Sequence, residues 1–269
     1  MTARASLKLN TENMIAEIDG AIGWMIFNKP ARRNAVSLDM WAAIPEIIDH
    51  FEKDPAVRVV VLKGAGDQAF VSGADISEFE AQRASGEGNR NYDRVSDEAS
   101  ARLINCGKPT IAMINGWCIG GGMGIALECD LRIASESARF GIPASRLGLG
   151  YGAPGVKKLM EVVGPSFTKE IFYTARHFTA AEALTMGLVN RVVPVAELET
   201  YTRGYCATIA DNAPMTINTL KRTVGELLKG PDYDAALCAR LVTACFESED
   251  YIEGRRAFME KRRPAFRGR

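Results

Sequence analysis

Two short stretches carry the residue pattern most suggestive of chemistry, and in both the chemistry would come from backbone rather than side chains. In "CIGGGMGIALECD", Cys118 to Asp130, three consecutive glycines stand between an apolar run and a helical segment, and a fourth, Gly124, follows one turn later. Each glycine in a helix costs roughly 0.5–1 kcal/mol relative to alanine, so bare backbone there needs a reason. In "VVVLKGAGDQAFVSGADISEFE" the same succession of strand, glycine turn and helix start recurs, with Ala74 following Ser72 and Gly73. The first N–H groups of a helix have no internal acceptor and sit at the positive end of its dipole. Two such donors, from Ala74 and Gly121, would form an oxyanion hole if they converge. Glycine then lets a carbonyl reach the peptide N–H with no Cβ in the way. The bland alternative is a tight turn with close strand–helix packing. A dinucleotide-binding reading fails at the triple glycine, where Ile125 occupies the third required glycine position; "GYGAPG", Gly150 to Gly155, meets the spacing but lacks a preceding buried strand and an acidic ribose partner.

The elements that would position these turns have two textures. "MIAEIDGAIGWMIF" predicts a hairpin turning at Asp19-Gly20, and "VRVVVLKG" and "TIAMING" predict buried strands. "SLDMWAAIPEIIDHFEKDP" predicts an amphipathic helix with Ser37 as its N-cap and Trp41, Ile44, Ile48 and Phe51 on one face. The polar stretch Ala81 to Arg94 predicts a mobile loop. The pattern is helical from Val195 onward. The expected organisation is an α/β core over residues 1–195 and a helical region over residues 196–269, whose apolar faces, including Leu220, Val224, Leu227 and Leu228, would be buried in an oligomer.

Composition removes several classes. The 269 residues carry 33 basic and 33 acidic side chains, which gives no global attraction to nucleic acid or membrane. Six cysteines without a C-x-x-C pair suit reduced thiols in a cytosolic protein. No segment reads as a signal peptide or membrane span. His50 and His177 stand in no motif for a catalytic triad or a metal site, and His50 is explained by the end of its helix. Trp117 and Cys118 suit either an acyl pocket or the core, and Glu78, Glu80 and Glu87 suit either a lid or a solvated face. Local positive charge gathers at the C-terminus, where Arg255 to Arg269 holds seven Lys/Arg against Glu260, fitting a phosphate site, a solvated tail or a weak RNA-binding arm.

Taken together, "FNKPARRNAVS", "AFVSGADI", "NGWCIGGGMGIALECDLRIA", "ARFGIPASRLGLG", "TAAEALTMGLVNRVVP" and "EGRRAFMEKRRPAF" resemble the crotonase (enoyl-CoA hydratase/isomerase) superfamily in order and spacing. The resemblance spans essentially the whole chain. It implies a spiral of ββα repeats, a helical trimerisation region, a homotrimer or hexamer, and an acyl-CoA thioester as ligand, with coenzyme A entering as part of the substrate and no separate cofactor or metal. By this likeness the N–H groups of Ala74 and Gly121 polarise the thioester carbonyl and hold its enolate. Arg33, Asn34 and Ala35, with Gly73, Asp75 and Ile76, would border the coenzyme A cleft, though Asp75 also reads as a helix cap. Phe258 and Lys261 would reach the adenine and 3′-phosphate, often on a neighbouring subunit.

One departure matters. Hydratases of this family place catalytic glutamates three residues after the oxyanion glycine and after the proline of an F-G-x-P-E segment; this chain has Gly124 and Ala144 there. Efficient hydration is therefore not expected, since adding water needs groups that orient it and deliver a proton. Ser145, Arg146 and Tyr151 are the nearest polar replacements in sequence. "LGLGYGAPGVKKL" and "ESEDYIEGRRAFMEKRRPAF" also resemble methylmalonyl-CoA decarboxylase, in which a tyrosine at the place of Tyr151 lies in the active site; that enzyme's histidine and glutamate are replaced here by Ala74 and Gly124. A non-catalytic acyl-CoA-binding or RNA-binding relative is the remaining alternative.

Overall fold

The computed structural model describes residues 5–75 and 86–269. Strand β1 (Ala5–Ser6) and the predicted hairpin β2 (Met14–Asp19) and β3 (Ile22–Phe27) lead to helix α1 (Leu38–Lys53). Then come repeats of two strands and a helix: β4 (Val59–Gly64), β5 (Ala69–Val71) and α2 (Gly86–Ile104); β6 (Thr110–Ile114), β7 (Trp117–Ile119) and α3 (Gly121–Glu128); β8 (Leu131–Ser135), β9 (Arg139–Gly141) and α4 (Ala153–Thr174). A shorter turn of β10 (Phe178–Thr179), α5 (Ala180–Thr185) and β11 (Arg191–Val193) closes the series, and α6 (Leu198–Ala210), α7 (Pro214–Leu227), α8 (Ala235–Phe246) and α9 (Glu249–Met259) complete the chain.

Each repeat sends its first strand to one sheet and its second to another. The larger sheet has the order β1-β2-β3-β4-β6-β8-β11 and the smaller β10-β9-β7-β5. Parallel pairing of β4 with β6, β6 with β8, β5 with β7 and β7 with β9 makes the succession a spiral.

The larger sheet is covered on both faces, which is why its central strand reads as unbroken "VVVL" rather than as an alternating pattern. Val60 and Leu62 face α1, whose Met40, Ile44, Ile47 and Phe51 are buried in the main core. Val59 and Val61 face the opposite way, with Ile22, Trp24, Ile111 and Ile133, against Leu198 and Cys206 of α6. The first helix of the region 196–269 thus packs on the α/β sheet.

Three expectations change in detail. Ser37 is the N-cap residue of α1 but makes no capping bond, its hydroxyl pairing with Asp39 instead. The stretch expected as a loop over 81–94 is helical from Gly86, residues 81–85 lying outside the described range. Tertiary contacts override its weak propensity: Tyr92, Val95, Ala99 and Leu103 recur at helical spacing against the main core, and Trp41 Nε1 donates to the Tyr92 hydroxyl at 2.9 Å. The basic C-terminus is not a free tail. Arg262 pairs with Glu253 at 2.6 Å, holding that carboxyl down at about 2, and Asp250 accepts from the backbone of Arg267 and Gly268 at 2.6 and 2.8 Å. Part of its charge, at Arg262 and Arg269, is paired within the chain.

Helix α7 is anchored to the core by Asn218 donating to the Gly107 carbonyl at 2.7 Å and by a Lys221–Asp130 pair at 2.9 Å. Its other side leaves Leu220, Val224 and Leu227 exposed. No helix among the described residues is long and apolar enough to cross a membrane.

Within the triple glycine, backbone approaches backbone most closely at the third residue. A Cβ on Gly122 would stand 2.1 Å from the Val71 carbonyl oxygen, so only glycine lets α3 start flush against the end of β5. Gly122→Ala should therefore cost about 1–3 kcal/mol or more through forced displacement of the helix. Gly124→Ala, where an added Cβ meets nothing within 4 Å, should be neutral or gain about 0.5–1 kcal/mol from helix propensity. Calorimetric melting of the two variants separates them; equal shifts in Tm would refute this account of the turn.

Candidate active site

Strand β7 passes into α3 through Gly120, whose φ of 53° and ψ of −114° favour glycine. Its N–H donates to the Gly141 carbonyl at 2.8 Å, which fixes the turn to the neighbouring strand β9. Gly121 is the first helical residue, so its N–H lacks an acceptor within the helix. An ideal Cβ on Gly121 would lie 3.6 Å from the backbone nitrogen of Ala74. The two positions proposed as donors are thus brought together, and the missing side chain leaves free the space beside them.

Ala74 is held by a two-residue parallel bridge to Val36. Val36 N donates to the Gly73 carbonyl at 2.8 Å and Asp75 N to the Val36 carbonyl at 2.9 Å, so the bridge holds the carbonyl of the peptide that carries the Ala74 N–H and the N–H of the next peptide. That N–H has no backbone acceptor among the described residues. Gly73 supplies the turn before it at φ 121°.

The segment carrying Arg33, Asn34 and Ala35 forms the strut behind this donor. Arg33 and Asn34 adopt φ values of 50° and 55°, unusual for non-glycine residues, and the Arg33 carbonyl accepts from Ser72 N at 3.1 Å. Asn34, expected to border the ligand cleft, is fully buried, its side chain accepting from Lys29 N at 3.0 Å and donating to the carbonyls of Ala65 and Ala69 at 3.0 and 2.8 Å. Asp75 pairs with Lys29 at 2.7 Å. Lys29 was missed in the sequence because its partner lies 46 residues away. Ile76, Glu78 and Glu80, and the Glu87 side chain, fall outside the described residues.

Beyond the paired donors, the helix face is open at Gly124, and Ala144, the other position without a carboxylate, is buried at the start of a short 3-10 turn. Tyr151 packs edge-on against Phe172 with ring centres 4.9 Å apart. A Cβ on Gly155 would stand 2.7 Å from its ring, so the phenol is wedged in place. Burial pushes its hydroxyl pKa upward, and the negative charge of Glu128 adds to the shift. Ser145 donates to the Phe172 carbonyl at 2.5 Å and Arg146 is exposed, which leaves Tyr151 as the placed polar group of the three.

Glu128 itself escaped the sequence reading. It lies four residues after Gly124 and seven after Gly121, a spacing that puts all three on one side of α3. Its carboxylate pairs with Lys158 of α4 at 2.9 Å through one oxygen.

The remaining predicted residues are dispersed. Cys118 is fully buried, and burial raises its thiol pKa strongly, as expected of a packed core residue. Trp117 meets His177 edge-on at 4.9 Å. Phe258, 83% exposed near the end of α9, and Lys261, exposed at φ 54°, lie on the surface of the chain. No group of three or more His, Cys, Asp or Glu side chains among the described residues could hold a metal ion.

Comparison with known proteins gives one consistent answer. The family model for enoyl-CoA hydratase/isomerase matches residues 17–269. A short-chain-enoyl-CoA hydratase of Clostridium acetobutylicum is 36% identical, with 95% of this chain and 97% of that protein covered. A carnitinyl-CoA dehydratase of Proteus mirabilis is 33% identical, covering 98% of this chain and 99% of that protein. The crystal structure of an enoyl-CoA hydratase/carnithine racemase from Magnetospirillum magneticum superposes with a TM-score of 0.91 at 33% identity, over 97% of each chain. A spiral of ββα repeats that brings the turns at Ala74 and Gly121 together, on a sequence matched along nearly its full length, places this chain in the enoyl-CoA hydratase/isomerase family of the crotonase superfamily.

Proposed function

We propose that the protein binds an acyl-CoA thioester with its carbonyl oxygen between the N–H groups of Ala74 and Gly121, and that it stabilises the enolate formed there. The observation that carries this reading is the 3.6 Å separation between the Ala74 nitrogen and the Cβ position that Gly121 leaves vacant. A carbonyl gains charge on oxygen as the enolate forms, and fixed backbone donors cost no reorganisation when that happens. Coenzyme A arrives with the substrate, and no further cofactor is required. Arg33, Ala35 and Gly73 border the thioester end of the cleft, while Phe258 and Lys261 serve the nucleotide end of a ligand held by a neighbouring subunit.

The test is exchange of the α-proton in heavy water across a panel of acyl-CoAs, including malonyl-type esters whose decarboxylation needs only the enolate sink and a proton. Gly121→Pro removes one donor N–H. In a variant that stays folded by circular dichroism and sizing, exchange should slow by about 10²–10³-fold while binding of free coenzyme A changes far less. Full activity in that variant would confine Gly121 to a packing role and end the argument for the oxyanion hole.

Hydration of crotonyl-CoA should be slow. With Gly124 and Ala144 where the family resemblance places carboxylates, the loss of one positioned acid/base group is worth about 10²–10⁴-fold. A turnover rate matching that of an efficient two-glutamate hydratase, measured side by side, would contradict this.

The assembly is a trimer or a dimer of trimers. The exposed apolar side chains of α7, with Leu220 65% and Leu227 57% accessible, together with Phe246, Ile252 and Met259 further on, form a surface too apolar to face water in a monomer. Light scattering at micromolar concentration should give three or six times the 29.3 kDa chain mass; a monomer would count against it.

A further inference from the structure

The carboxylate at Glu128 is used only by half. One oxygen pairs with Lys158 at 2.9 Å, while Oε2 is buried and has no hydrogen-bond partner, and the side chain is 6% exposed. A buried carboxylate oxygen without a donor is costly, and an ion pair serving only to tie α3 to α4 gives no reason to keep it. Its position on α3 suggests a reason. Seven residues after Gly121 bring it almost back above that residue on the helix face, about 10 Å along the axis at 1.5 Å per residue. Helical side chains lean toward the N-terminus, so the carboxylate is directed back along this face toward the donors. Gly124 lies between them, and a Cβ built there meets nothing within 4 Å. The negative charge of Glu128 also reaches the Tyr151 phenol, adding to the upward shift that burial gives its hydroxyl.

Resting on the acyl-CoA reading above, we propose that Glu128 is a catalytic residue that moves protons at the acyl carbons beyond the α-carbon, through the space that Gly124 leaves open. A carboxylate one turn deeper than the usual position meets a bound acyl chain further from its thioester. Acting on a 2-enoyl thioester, Glu128 takes a proton from C4. The C4–H pair becomes the C3=C4 bond, the former C2=C3 pair becomes C1=C2, and the carbonyl pair moves to the oxygen held by Ala74 and Gly121. Return of the proton to C4 restores the substrate, and its return to C2 gives the 3-enoyl isomer. Atoms and charge balance without any oxidant, reductant or metal.

The experiment follows deuterium incorporation at C4 of crotonyl-CoA in heavy water, by NMR on the full chain. The unsubstituted protein should label C4. Glu128→Gln, nearly isosteric, should slow that labelling by about 10²–10⁴-fold with crotonyl-CoA affinity and Tm little changed. Should that variant fail to fold, Glu128→Asp keeps the charge but withdraws it by one methylene, and at least a tenfold loss is expected. Undiminished C4 labelling in a folded Glu128 variant overturns the proposal. So does a protein that labels C2 of saturated acyl-CoAs but never C4, which would leave the enolate reading intact. Failure to exchange any proton of any acyl-CoA would instead bring down both readings together.

Discussion

The contact on which the site depends is between two backbones: the first turn of α3 resting against the carbonyl of Val71 at the end of β5. With an added Cβ only 2.1 Å from that oxygen, Gly122 cannot carry a side chain, and the helix start cannot retreat without separating the two turns. Everything else near the site maintains this approach. The Gly120 N–H bonds across to β9, and the Asn34 amide joins Lys29 to the carbonyls of Ala65 and Ala69 around β5. Lys29 holds Asp75 immediately after the first donor. The result is a pair of peptide groups whose positions follow from the spiral itself, each repeat setting its second strand beside the previous one.

The parts of this arrangement that could be read in the sequence are those expressed by local pattern. The hairpin at Asp19-Gly20, the strand 59–64 with its buried run Val59 to Leu62, and the apolar face of α1 follow from period and turn chemistry, and the structure has them within a residue or two. The triple glycine was legible as a demand for bare backbone. Its members divide the work: Gly120 supplies the unusual dihedral angles, Gly121 the open approach and Gly122 the close packing. What stayed hidden depends on partners distant in sequence. Helix α2 looks like a polar loop until Tyr92 and Leu103 meet the core. The basic C-terminus looks like a free arm until Glu253 and Asp250 receive it. Glu128 looks like one more surface charge at a helix end until Lys158 and the surrounding burial are seen.

A division of labour follows between backbone and side chain. Enolate stabilisation needs only peptide N–H groups, whose positions the fold determines whatever side chains surround them, so it survives replacement of nearby residues. Proton handling needs a carboxylate, phenol or similar group at a chosen depth along the acyl chain, and α3 offers several such depths at successive turns of one face. Removing the side chain at Gly124 does more than delete a possible acid. It opens the space that a group from the next turn must cross, and the next turn carries a buried carboxylate oxygen with no other partner. The vacancy and the unpaired oxygen explain each other better than either is explained alone. A glycine in mid-helix sacrifices helix stability for no packing need, and the buried Glu128 oxygen left outside the Lys158 pair costs desolvation with no bond of its own. Local features that each cost stability and lie on the same side of the same helix are expected where reactivity, rather than folding, set the sequence.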